Sequence, residues 1–201
     1  MADFRFFIKP MIQGKKGMGE IIFGAMNLLT GPDWFGKVVK HPSCKFKSVS
    51  GYLYPSAGVV QNHELLVYIV PGPTKMEGSV VALKGGGPGS LTHGGRTLIG
   101  RADGVICEVY WASLGQDLST DVTALDLCGR IFHEFMHCKI DIDPQKDLHR
   151  DGGGAIAGPN PLRSTKPNDT NIALMAARLA KEVPQFTAFL PNERQVWESG
   201  M

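Results

Sequence analysis

The run His133-Glu134-Phe135-Met136-His137 sets two imidazoles four residues apart, with a carboxylate beside the first. On a helix that spacing puts both rings on one face, one turn apart. Two imidazole nitrogens so placed can bind a single zinc ion at about 2.0–2.1 Å each. Glu134 is near enough to reach a water on the metal without being a ligand. Zinc acidifies such a water, the carboxylate takes its proton, and the hydroxide attacks a carbonyl. The expected chemistry is zinc-dependent hydrolysis of a peptide bond. Glu134 would be general base and then proton donor to the leaving amine.

A catalytic zinc site needs a third protein ligand, with water in the fourth position. His149 lies twelve residues after His137, in Asp147-Leu148-His149-Arg150-Asp151-Gly152-Gly153-Gly154. A turn at Asp143-Pro144 would send the chain back, and the glycines would let the backbone pass close to the metal. His133, His137 and His149 are therefore the expected metal ligands. Glu182, at the end of a later helix, is the alternative, although a carboxylate near a helix C-terminus opposes the dipole. Asp151 and Asp169 are weaker candidates, and Asp169 reads better as a helix cap. His41, His63 and His93 read as surface or loop histidines. Any of them, or Tyr110, is open as an oxyanion stabiliser.

These residues need a helix to carry them. From Asp121 to about Ile140 the apolar residues follow helical spacing, with Ser119, Thr120 and Asp121 offering an N-cap and Asp141, Asp143 and Pro144 marking the exit. Leu125, Cys128, Phe132 and Met136 line one apolar face; Leu127, Ile131, Phe135 and Cys138 line another. A helix apolar on two faces is largely buried. Its polar stripe of Asp126, Arg130, His133, Glu134 and His137 must then face a cleft or find partners, because unpaired buried charge is costly. A second helix is expected from about Asp169 to Glu182, with Ile172, Met175, Ala176 and Leu179 buried and Pro184 as its stop.

The first 115 residues read as mostly β. Phe4, Phe6 and Ile8 alternate; Phe46 to Tyr54, Leu65 to Val70, Ser79 to Leu83 and Gly104 to Trp111 are strand-like. The apolar stretch Gly19 to Leu29 is a buried helix or strand, too short to span a bilayer. The glycine-rich Lys84 to Arg96 has no Gly-Lys-Ser/Thr ending and no G-x-G-x-x-G entry into a helix, so it reads as a surface loop rather than a nucleotide cradle. The expected fold class is α+β. A mixed or antiparallel sheet in the N-terminal half would pack on the motif helix and a C-terminal helix, in one domain spanning residues 1–201.

Composition agrees with a soluble globular domain. Of 201 residues 43% are hydrophobic and 20% charged, and the net charge of +2 gives no field for nucleic acid. The four cysteines form no C-x-x-C pair, so neither a zinc knuckle nor a disulfide framework is expected. Met1-Ala2-Asp3-Phe4-Arg5 does not begin a secretory signal. The expectation is a product made in the cytoplasm, exported, if at all, by a route needing no classical signal.

The run His133 to His137 resembles the active helix of the zincin metallopeptidases. With His149 and the glycines after it, it resembles small zincins that use three histidines. It departs from the metzincin pattern, since Ile140 and Asp143 stand where that family has glycine and histidine. No Asn-Glu-x-x-x-Asp signature of the thermolysin-like group follows. Ile131 to Gly158, with Asn171-Ile172-Ala173-Leu174-Met175, is similar to metallopeptidase toxin domains of bacterial type VI secretion spike proteins and related effectors. The resemblance covers a minor part of the chain. It implies a zincin-like fold, a Zn2+ cofactor, a protein or peptide substrate, and a secretion-system or immunity partner. It also implies that the strand before the active helix, Gly104 to Trp111, binds extended substrate by edge pairing. The competing reading is a degenerate, metal-stabilised binding module without hydrolytic activity.

Overall fold

The computed structural model describes residues 2–12, 14–54, 64–72, 82–84, 95–99, 106–114, 119–140, 155–156 and 165–179, with backbone alone at 82–84, 95–99, 106 and 138–140. In β1 (Asp3–Pro10) the alternation holds: Phe4, Phe6 and Ile8 are fully buried and Arg5 is exposed. The ambiguous apolar stretch is helix α1 (Met18–Thr30). Its buried residues Ile21, Ile22, Ala25 and Leu29 follow a helical stripe. Gly17 precedes it at a φ of 70°, a conformation glycine adopts without a Cβ penalty. A single turn, α2 (Phe35–Val38), buries Phe35 and Val38. The strands β2 (Ser48–Leu53), β3 (Glu64–Val70), β4 (Ala82–Lys84), β5 (Gly95–Ile99) and β6 (Ile106–Tyr110) follow. Two helices complete the described chain, α3 (Thr120–Ile140) and α4 (Asp169–Leu179).

The fold is mixed α and β. Its six described strands form one sheet in the order β2-β1-β3-β6-β5-β4. β2, β1, β3 and β6 run parallel; β5 is antiparallel to both β6 and β4. Among the described strands β5 alone therefore runs against the rest, and a sheet expected to be mixed or antiparallel is parallel through its centre. The physical sign lay in β3. All seven of its residues are buried, as in a strand covered on both faces, where the sequence is a continuous apolar run rather than an alternation. Parallel neighbours need a crossover, and α1 with α2 supplies it between β1 and β2.

A second correction concerns Gly104 to Trp111. The strand there, β6, lies between β3 and β5, with Cys107 opposite both Val67 and Thr97. Both of its edges are taken, so it has no free ladder to offer an extended peptide. β5, which falls where the sequence reads as the end of a glycine-rich loop, was not expected as a strand.

The core lies on one face of the sheet, under α1 and α3. Phe35 is its hub, with ring centroids 5.1 Å from Phe4, 5.7 Å from Phe6, 5.0 Å from Phe132 and 6.0 Å from Phe135. These tilted and stacked pairs tie β1 and α2 to the helix bearing the motif. On the opposite face, Arg5 of β1 pairs with Glu64 of β3, its register partner. No helix among the described residues is long and apolar enough to cross a membrane.

The depth of α3 is set partly by α1. A Cβ on Gly24 would stand 2.9 Å from the Cβ of Ala124. A larger residue at 24 must push the helices apart. We expect Gly24→Val to lower stability by about 1–3 kcal/mol through overpacking. Urea unfolding would read this as a lower midpoint with an unchanged slope.

Candidate metal centre

Helix α3 is preceded by Ser119, whose hydroxyl accepts from the Val122 amide at 3.4 Å and whose carbonyl accepts from the Thr123 amide at 2.9 Å. This is the N-cap expected from the sequence. Of the two expected apolar faces, Leu127, Cys128, Ile131, Phe132, Phe135 and Met136 are all at 0% exposure and Leu125 is half-buried, while the Cys138 side chain lies outside the described residues. Cys44, Cys107 and Cys128 are buried. Burial pushes the Cys128 thiol well above its ordinary pKa, so it packs as a neutral apolar group.

The polar stripe splits into two parts. In the first, Asp126 accepts from Arg130 at 3.1 Å, and Arg130 also donates to the Ser113 carbonyl at 3.1 Å. Ser113 in turn donates to the Tyr110 carbonyl at 2.6 Å. This half is structural and fastens α3 to the exit of β6. In the second, His133, Glu134 and His137 are 6%, 5% and 3% exposed. The structure thus brings all three motif residues together on one buried stretch of helix.

The histidine pair has a defined geometry. His133 Nε2 and His137 Nε2 are 3.1 Å apart, with rings nearly perpendicular at 83°. His133 Nδ1 lies 2.6 Å from the Ile156 carbonyl oxygen. A carbonyl only accepts, so Nδ1 carries the proton, and Nε2 of the neutral ring presents a lone pair toward His137. Two nitrogens on a tetrahedral zinc at 2.0–2.1 Å would be about 3.3 Å apart. The observed separation fits that bite closely. The Nδ1 bond to a carbonyl is also the usual outer contact that fixes the tautomer of a ligating histidine. The same 3.1 Å suits an N–H···N hydrogen bond between the two rings, in which a neutral His133 accepts from His137.

No family model, curated protein or solved structure matches this chain.

Among the described residues, no group of three His, Cys, Asp or Glu side chains gathers into a metal site. His149, Glu182 and Asp151 lie outside the described residues, as do His63 and His93. Asp169 is described and is not at the site. Its side chain is 94% exposed and paired with Lys37 at 2.7 Å. His41 sits in a turn, its Nδ1 accepting from the Ser43 amide at 3.2 Å. Tyr110 alternates with Val109, which shares the core cluster with α3, so the tyrosine belongs to the other face of the sheet.

The cap of α4 is Asn168, not Asp169. Asn168 Oδ1 accepts from the Asn171 amide at 3.0 Å, and Asn171 Oδ1 accepts from the Asn168 amide at 3.2 Å. That reciprocal pair has the spacing of a capping box, legible in Asn168-Asp169-Thr170-Asn171. Two exposed ion pairs hold this end of α4 near α2: Lys37 with Asp169, and Lys166 with Asp33 at 2.8 Å. The hydrogen bond from each lysine, and then its charge, lowers the pKa of each carboxyl. Their small contribution is present above the ordinary carboxylate range and is lost as pH falls through the lowered values.

Proposed function

We propose that this chain is a zinc-dependent endopeptidase with a zincin-like fold. The observation that carries the reading is the pair of buried Nε2 atoms 3.1 Å apart, one with its tautomer set by the Ile156 carbonyl. His133 and His137 hold the ion, with His149 as third ligand. When bound, zinc supplies a Lewis acid that polarises a carbonyl and lowers the pKa of water. Glu134 takes the proton of the attacking water and delivers it to the leaving amine. Its position beside His133 and three residues before His137 keeps its carboxylate within one turn of both ligands. Burial strengthens the interaction of the carboxylate with developing charge relative to a site in open water.

The choice of His149 over Glu182 draws support from chain path. Ile140 is the last described residue of α3, one turn past His137, and Ile156 lies against His133. His149 belongs to the segment joining those two points. His149→Ala is therefore expected to weaken zinc binding by more than about 100-fold, since losing a mere outer-shell partner already costs 10–100-fold. Glu182→Gln should leave it unchanged. Competition titration with a chromophoric chelator reads both, and the opposite ranking would move the third ligand to Glu182.

The test of the proposal is zinc content of the folded chain together with cleavage of an unstructured protein substrate. A folded sample that takes up no zinc sinks it. The alternative, a metal-stabilised binding module, has its own support in the hydrogen-bond distance between the two rings. It is favoured if zinc binds in a closed four-ligand shell without cleavage. An effector role follows from the sequence resemblance. It is tested by expressing the chain with and without a periplasmic signal and scoring growth; growth unaffected in both compartments speaks for a processing enzyme.

A further inference from the structure

We infer that Asn171 is a positioning residue for the metal site, acting on His133 through the backbone of Ile156. The inference rests on the zinc reading above and deepens it. Asn171 is fully buried, at 0% exposure, on the first turn of α4. Its Oδ1 accepts two amides, that of Asn168 at 3.2 Å and that of Ile156 at 3.2 Å. The first bond closes the helix cap. The second does nothing for the helix, because Ile156 is fifteen residues upstream. The carbonyl of that same residue accepts from His133 Nδ1 at 2.6 Å.

The three groups are linked through one residue: Ile156 N–H donates to Asn171 Oδ1, and Ile156 C=O accepts from His133 Nδ1–H. An acceptor on one side of Ile156 fixes the orientation of its turn, and so aims its carbonyl at the ring. That carbonyl holds the proton on Nδ1 and leaves the Nε2 lone pair toward His137. All three are buried, so water does not compete for any link. Asn171 touches neither metal nor substrate in this arrangement. It sets which nitrogen of His133 can bind, and where that nitrogen stands.

A purely structural role would be the cap alone, and the two roles separate by mutation. Asn168→Ala removes one half of the cap, the bond its Oδ1 accepts from the Asn171 amide, and leaves the Ile156 clamp. Asn171→Ala removes the other half, accepted from the Asn168 amide, together with the clamp. The expected result is a 10–100-fold loss of zinc affinity in Asn171→Ala, with affinity unchanged in Asn168→Ala. A second measurement needs no variant. By linkage, a clamp that favours zinc binding is itself favoured by zinc by the same factor. Adding zinc to the parent chain should therefore slow hydrogen exchange at the Ile156 amide by a comparable 10–100-fold. Equal zinc affinity in the two variants overturns the inference, as does an Ile156 amide whose exchange ignores zinc. A parent chain that binds no zinc overturns the reading of the site, and this inference falls with it.

Discussion

Exchange of Glu134 for glutamine is expected to leave zinc bound and to lower peptide hydrolysis by about 10²–10⁴-fold, the usual weight of a positioned general base. The substitution keeps side-chain size and shape. Glu134 is 5% exposed, and an exchange of equal volume leaves the packing around it in place. The amide that results has no basic lone pair for a proton and carries no charge to stabilise the leaving amine. The loss should fall on kcat, because proton transfer belongs to the transition state and substrate binding does not need it. Zinc content measured on the same sample separates this from collapse of the site. A Glu134→Gln protein that keeps its zinc and cleaves as fast as the parent would end the assignment of Glu134.

His133→Ala and His137→Ala should each abolish zinc uptake, and with it a large part of the stability of the loaded protein. A ligand that binds only the folded state adds about 4 kcal/mol when free at 1,000 times its Kd. Both rings are buried in the middle of α3, so the parent's midpoint should rise steeply with added zinc and fall with chelator. The two alanine variants should show neither response. His133→Ala should also lower the metal-free stability, because His133 Nδ1 donates to the Ile156 carbonyl. Removing it leaves a buried acceptor without that donor, at a cost of about 1–3 kcal/mol. A zinc-dependent midpoint persisting in His137→Ala would show that metal binds elsewhere.

The sequence made α3 and its motif legible because both depend on local spacing. Helical periodicity, the Ser119 cap and the i, i+4 histidines are all readable within a few turns. β1 was legible for the same reason, through Phe4, Phe6 and Ile8. The direction of the sheet was not. It hangs on which strands meet after a crossover, and the one local hint, the unbroken apolar run of β3, also fits a buried antiparallel strand. The resemblance made β6 an edge strand, and β5, which covers that edge, opens on Gly95 inside a glycine-rich stretch where no alternation announces a strand. At the site, the Ile156 contact was invisible in sequence terms, since a backbone carbonyl has no residue type. Asn171 was hidden by distance along the chain, its buried role depending on a turn fifteen positions earlier.

That the partner of His133 is a main-chain carbonyl has a genetic consequence. No single-base change can delete it. Substitution at position 156 alters packing around a fully buried isoleucine but leaves the acceptor in place. What the arrangement does not tolerate is a change of length. An insertion or deletion between Ile140 and Ile156 would bring a different carbonyl, or none, to the ring. Natural variants should therefore be constrained in the residue count of this segment, and freer in residue identity along it at every position but His149.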